Sequence, residues 1–302
     1  MSDTLYGMGW LRDNPDFRDY HINHDEVVPR LKALGQRSVK ADLSKLGVLK
    51  TPVPTLPAKV DLRQWCSPIE DQGALGSCTA NAGVGALEYF ERRAFGKYTD
   101  ASRLFIYKVE RDLLGWTGDT GGLLRTTMGT LVLFGAPPER YWPYVIAHFD
   151  NEPSAFCYAF AENYKAIRYY RLDMPGTAPA TLLNTIKTWL AAGLALMFGF
   201  SVYSSYVQAG TTGKIPFPTL GERVVGGHAI DAVGYDDTMQ IKNTNPGATA
   251  TTGALLIRNS WGTGWGDAGY GWLPYDYVLH GLAADWWSLI QSEWVDTGQF
   301  GL

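Results

Sequence analysis

The chain has 302 residues, enough for two core-bearing lobes with a cleft between them, because a single hydrophobic core stops growing at roughly 250 to 300 residues. With 46% hydrophobic and 19% charged residues and no apolar run near the ~20 residues of a membrane span, it reads as a soluble globular protein. The formal charge of −4 gives no reason to expect nucleic acid or an anionic membrane as partner, and three cysteines (Cys66, Cys78, Cys157) are too few and too odd in number for a disulfide framework, which points to a reducing compartment.

The opening residues, MSDTLYGMGWLRDNPDF, lack the apolar core of a signal peptide, so a cytoplasmic location, or export by a route the sequence does not show, is expected. Residues 1–49 mix aromatics and charges and turn weakly amphipathic, with Leu31, Leu34, Leu43 and Leu46 as apolar points. Pro52, Pro54 and Pro57 in TPVPTLP forbid a helix and mark a linker, which divides the chain into an N-terminal segment (1–57) and a main unit (58–302).

From Ser77 the spacing of Ala80, Val84 and Leu87 predicts a helix capped by the Ser77 side chain. Helical signals recur in SRLFIYKVERDLLG (102–115), LLRTTMGTLVLFG (123–135) and ATLLNTIKTWLAAG (180–193). Beyond residue 193 come strand-like runs: LALMFGF, HAIDAVGY, GALLIRNSW, GYGWLPYDYV and DWWSLIQSEW. Residues 236–252 read as a long excursion between two of these strands. Helices first and strands afterwards predict an α+β protein with a helix-rich lobe at about 60–192 and a strand-rich lobe at about 193–302.

In DQGALGSC (71–78) a cysteine follows a glycine-rich turn at a helix start, where the positive end of the helix dipole and free N–H groups favour a thiolate. A nucleophile of that kind needs a base, a group that orients the base, and donors for an oxyanion. His228 in GGHAI can be the base. Asn259 in NSWG can fix the imidazole, and the Trp261 ring can keep water off that contact. Gln72, six residues before Cys78, has amide donors suited to an oxyanion, with the Cys78 N–H as the second donor. Cys66 and Cys157 read as core residues, and His21, His24, His148 and His280 as surface or packed ones. Without Cys-x2-Cys or His-x3-His spacing, no metal or cofactor is expected.

Together DQGALGSC, GGHAI and NSWGTGWGDAGYG resemble the papain family of cysteine peptidases, over about residues 60–294. The wording is nearest the cathepsin B side, and the whole chain is similar to short-prosegment, xylellain-like bacterial members. The resemblance implies a papain-like fold with a helical left lobe and a β-rich right lobe, and protein or peptide substrates. It implies Cys78 as nucleophile, His228 as acid/base, Asn259 as orienter and Gln72 as oxyanion donor. Gly121 and Gly122 would hold the substrate backbone beside Gly227 and Trp261. Leu123, Leu124 and the region of Phe198 would wall the pocket for the second residue before the scissile bond, with Asp285 near its floor and favouring Arg or Lys. Two departures stand out: the family's usual cysteine is Leu75 here, and its aromatic after the nucleophile is Thr79.

The resemblance also implies that residues 1–57 are a prosegment, an intramolecular inhibitor that makes the chain a zymogen. WLRDNPDFRDY (10–20) would cross the cleft along the Gly121–Gly122 edge, running opposite to substrate. Two other functions share the pattern, a cysteine-dependent acyl transferase and a catalytically silent papain-like binding module.

Overall fold

The computed structural model describes residues 6–52, 54–162 and 167–302; Val53 of the proline-rich linker lies outside them. Helix α1 (Pro29–Ala33) is short and surface-bound, and α2 (Val39–Leu46) is better built. The Ser38 side chain accepts the Ala41 N–H at 3.1 Å, and the helix stops on Gly47 at φ +82°, a conformation that costs glycine least. Val39, Leu43, Leu46 and nearby Val48 are buried, with α2 packed on α9 (Ser292–Asp296) at the other end of the chain. Asp42 is fully buried and is held by Arg168 at 2.6 Å and by Ser292 Oγ at 2.8 Å. Residues 38–48 are therefore core rather than a loose tail.

The helical lobe is built on α3 (Cys78–Phe95), flanked by α4 (Arg103–Asp112) and α5 (Leu124–Leu133), with α6 (Ala155–Ala161) outside. Residues 78–90 are all buried, because α3 lies between these helices and the sheet of the other lobe. Small residues allow that: a Cβ on Gly85 would stand 2.1 Å from Arg258 Nη1. Ser77 occupies the N-cap position but makes no cap hydrogen bond with its side chain; its hydroxyl meets Tyr144 Oη at 2.6 Å instead.

Among the described residues the second lobe is a seven-stranded sheet. Its strands are β1 (Lys59–Asp61), β2 (Arg168–Arg171), β3 (Leu196–Tyr203), β4 (Val224–Lys242), β5 (Ala250–Arg258), β6 (Tyr270–Pro274) and β7 (Ala283–Ile290). All pairs are antiparallel, in the order β2-β7-β3-β4-β5-β6, with β1 added to β4. Helices α7 (Pro179–Ala191) and α8 (Asp276–Leu279) pack beside it. Two strands thus come from before residue 193.

The stretch 236–252 is not a free excursion. Gln240 pairs with Thr252, Ile241 with Thr251 and Lys242 with Ala250, leaving only 243–249 as the turn. Ile241 and Thr251 are buried while Gln240, Lys242 and Thr252 are not. This half-solvated alternation was hidden by the polar residues of the outer face. The result is an antiparallel α+β fold whose two lobes meet where α3 begins.

Candidate active site

Cys78 is the first residue of α3 and is fully buried. His228 lies on β4 opposite Phe200 of β3, and Asn259 follows the last residue of β5. The N–H of Ala229, next to the histidine, is 3.4 Å from Cys78 Sγ, so β4 brings His228 to the start of α3. His228 Nε2 and Asn259 Oδ1 are 2.8 Å apart, and Oδ1 also accepts the Ser260 N–H at 2.8 Å. An amide oxygen can only accept, so Nε2 carries the proton and Nδ1 is left as an acceptor, with no hydrogen-bond partner. The Trp261 ring stacks on the imidazole at 4.4 Å.

Gln72 reaches the same place from the turn before α3. Its Oε1 accepts the Ser260 hydroxyl at 2.5 Å, which turns Nε2 outward as a donor. Ser260 is thus a positioning residue that the NSWG motif contained without announcing.

The site is closed by the chain's own residues 6–11. Tyr6 stacks on Trp261 at 4.6 Å. The Gly7 carbonyl accepts from Gln72 Nε2 at 3.1 Å and from Trp261 Nε1 at 3.2 Å. The Gly9 N–H donates to Cys78 Sγ at 3.2 Å. Gly122 N–H bonds Gly9 O at 2.8 Å, and Gly122 O accepts from Leu11 at 3.0 Å, a parallel bridge centred on Trp10. The Trp10 N–H bonds Gly227 O at 3.1 Å. Glycine is required at two points: a Cβ at Gly7 would lie 2.1 Å from Leu75 O, and one at Gly9 would lie 1.8 Å from Gly76 O.

Burial under this strap pushes the Cys78 thiol up to about 11, although the Ala229 and Gly9 N–H groups act the other way and nearby Glu110 adds to the rise. Burial likewise pushes His228 down to about 4, opposed by its bond to Asn259. Burial thus favours the uncharged form of both groups.

The papain family cysteine protease profile matches residues 56–282. The chain belongs to the papain family. An uncharacterised peptidase C1-like protein of Acanthamoeba polyphaga mimivirus is 33% identical, over 92% of this chain and 85% of its own length. Cathepsin K of Gallus gallus is 30% identical over 71% of this chain and 58% of its own length, so the chain spans a little over half of that relative. Among solved structures, xylellain, a cysteine protease from Xylella fastidiosa, is 32% identical with a TM-score of 0.72, covering 95% of this chain and 97% of that one.

Within this papain-family site the remaining candidates divide. Gly122, not Gly121, makes the ladder; Gly121 stands at φ +75° with its N–H on Tyr107 Oη at 3.2 Å. Leu124 is fully buried at the start of α5, and Leu123 is half-buried before it. The expectation at Phe198 moves by one residue. Phe198 stacks on Trp286 at 4.0 Å, whereas Gly199 meets the Trp10 ring, because successive strand residues face opposite ways. A Cβ there would be 1.9 Å from the indole.

Asp285 lies at the end of the Trp10 side chain, accepting its Nε1–H at 3.1 Å on Oδ2. It is fully buried at φ +64°, accepts from Trp287 Nε1 at 2.7 Å and faces Arg171 Nη1 at 3.2 Å. Burial lifts its carboxyl to about 6 against the pull of Arg171. Glu110, which no motif flagged, is buried below Gly122 and accepts hydrogen bonds from Thr79 at 2.7 Å and from Thr127. Thr79 is where the family's aromatic usually stands, and its hydroxyl serves this carboxyl.

Proposed function

We propose that the protein is a cysteine peptidase that hydrolyses peptide bonds through a thioester, and that it is made as a zymogen closed by residues 6–20. The observation that carries the first part is the Nε2–H to Asn259 bond, which leaves His228 Nδ1 as a base beside the start of α3. In the open enzyme Nδ1 takes the Cys78 proton and Sγ attacks the substrate carbonyl carbon. The oxyanion is met by Gln72 Nε2 and the Cys78 N–H. Collapse breaks the peptide C–N bond, His228 protonates the leaving amine, and a thioester remains. Water, deprotonated by His228, then adds to the thioester and releases the acid and the thiol.

The closing of the site is supported by polarity. Sγ faces the Gly9 N–H, not a carbonyl carbon, while the Gly7 carbonyl occupies Gln72 Nε2. A strand that meets Gln72 first and the Trp10 pocket afterwards runs opposite to a substrate, whose acyl side would fill that pocket, so the peptide meets Sγ with its N–H in front and its carbonyl outside the substrate register.

Turnover of a dipeptidyl reporter without an added amine acceptor tests the reading. A chain opened by Gly9→Val is expected to hydrolyse it, and Cys78→Ala in that chain to lose on the order of 10⁶ in rate. Activity within tenfold after Cys78→Ala would overturn the assignment of the nucleophile.

A further inference from the structure

Three residues beyond Trp10 the segment meets the body of the protein a second time, through charge. Arg125, the second residue of α5, donates from Nε to Asp13 Oδ2 at 2.7 Å and from Nη2 to Asn14 O at 2.6 Å, and it pairs with Asp19. Arg171, the last residue of β2, donates from Nη2 to Asp13 O at 3.0 Å. The Trp287 ring lies against both guanidinium groups, 5.5 Å from Arg125 and 5.0 Å from Arg171. Beside them a cavity of about 200 Å³ is lined by Arg12, Asp13, Asn14, Arg171 and Asp173, among others.

The body treats the two arginines differently. Arg171 holds Asp173 at 2.8 Å and Asp285 at 3.2 Å, both of them residues of the body rather than the segment. Among the described residues, the hydrogen-bond and ion-pair partners of Arg125 are Asp13, Asn14 and Asp19, all of them in the segment. Asp173 is not free to replace them, because Arg171 and the N–H groups of Asp285 and Trp286, at 2.8 and 3.0 Å, engage its two oxygens. When the strap lifts, Arg125 keeps only the Trp287 ring, and its planar fork is left facing the cleft without an acceptor. A partly desolvated guanidinium in that state selects carboxylates.

We propose that Arg125 forms a substrate subsite for an acidic side chain, at the fourth or fifth residue before the scissile bond. The register follows from the segment. Trp10 fills the pocket for the second residue before the bond, and Asp13 reaches Arg125 after roughly 3.3 Å of extended chain per residue. A substrate running the other way brings to Arg125 the residue two or three positions before its own pocket residue. This rests on the peptidase reading and names its substrate class: peptides with Glu or Asp upstream of the residue in the Trp10 pocket.

The test uses the full chain, since residues 38–48 belong to the core. In a Gly9→Val, Cys78→Ala chain, fluorescent peptides that differ only by Glu or Gln at the fourth and fifth positions are titrated. The Glu peptide is expected to bind about tenfold tighter. Arg125→Gln is expected to erase that difference and Arg125→Lys to keep part of it. If Gly9→Val does not fold, Trp10→Ala supplies the open chain. Equal affinities in the Arg125 chain, or a preference that survives Arg125→Gln, would overturn the proposal. Failure of the dipeptidyl reporter to turn over would count against the peptidase reading instead, and the binding comparison would still decide the subsite.

Discussion

The Gly9 amide nitrogen stands 3.2 Å from Cys78 Sγ and donates to it. A hydrogen-bond donor therefore occupies the path an electrophile must take, and the contact exists only because Gly9 has no side chain. Gly9→Val puts a Cβ against Gly76 O and lifts the strap. Alkylation of Cys78 by iodoacetamide is then expected to accelerate roughly 10²-fold or more, since a tethered strand competes at high effective concentration. Intact mass with a single added group reads the rate; equal rates in the parent and Gly9→Val chains would show that residues 6–11 do not protect the thiol.

The parent chain and the opened Gly9→Val chain are also expected to differ in pH dependence. In the closed form burial holds the Cys78 thiol near 11, above its ordinary value, so the thiolate fraction at pH 8 is small and grows about tenfold per pH unit up to that value. Opening removes the desolvation and restores the effect of the helix start, which lowers the thiol. The alkylation profile of Gly9→Val is expected to rise at lower pH than that of the parent chain. Coinciding profiles would count against desolvation as the cause.

Asp285 combines a left-handed backbone with a buried carboxylate shared by Trp10, Trp287 and Arg171. Asp285→Asn keeps an acceptor and a residue type that tolerates φ +64°, so the fold is expected to persist. The ratio of Arg to Phe cleavage at the second position before the bond should fall about tenfold, because a charge-assisted bond is lost. Asp285→Ala leaves the indole N–H groups of both Trp10 and Trp287 without this acceptor and adds a conformational penalty, and should cost a further ~1–3 kcal/mol in urea unfolding. An unchanged Arg to Phe ratio in Asp285→Asn would remove this residue from the pocket.

Glu110 is held up at about 7 by burial, against the bonds from Thr127 and Thr79. A carboxyl raised in the folded state contributes stability below its unfolded value, and that contribution is lost as pH rises through the folded one. The chain should therefore lose stability between about pH 5 and pH 8, by an amount on the order of 1–3 kcal/mol from this group. Glu110→Gln, which removes the titration and keeps one oxygen to accept from one threonine while its NH2 group faces the other hydroxyl, should flatten that slope. Thermal unfolding at pH 5, 6.5 and 8 gives the comparison, and parallel slopes would mean that another group is responsible.

What could be read in advance follows from where each interaction is encoded. Cys78, His228, Asn259 and Gln72 sit in short local words, so each could be named as a candidate although 150 residues of chain separate the thiol from the imidazole. The helices at 103–112, 124–133 and 179–191 carried their own stop signals. Ser260, Glu110 and Arg125 were not legible, because each acts through a partner distant in sequence, and a lone Ser, Glu or Arg carries no pattern. Strand β2 was missed because RYYR pairs with β7 from more than a hundred residues away and has little apolar alternation of its own. In the region of Phe198 it is Gly199 that meets the Trp10 ring, and a glycine leaves no side chain to notice.

The docking of α2 has one more consequence. Val39, Leu43, Leu46 and Val48 are interior residues, and Asp42 is bound to Arg168 on one side and Ser292 on the other. A cut in 51–57 would break the covalent path to β1, but separating the pieces would expose the buried apolar face of α2 to water and so is disfavoured. The nicked protein would travel as a two-chain particle, its short chain half gate and half foundation stone. Shedding that chain altogether would open a hole in the core, so in the zymogen proposed above the moving part is residues 6–20, hinged on residues 38–48 that stay behind.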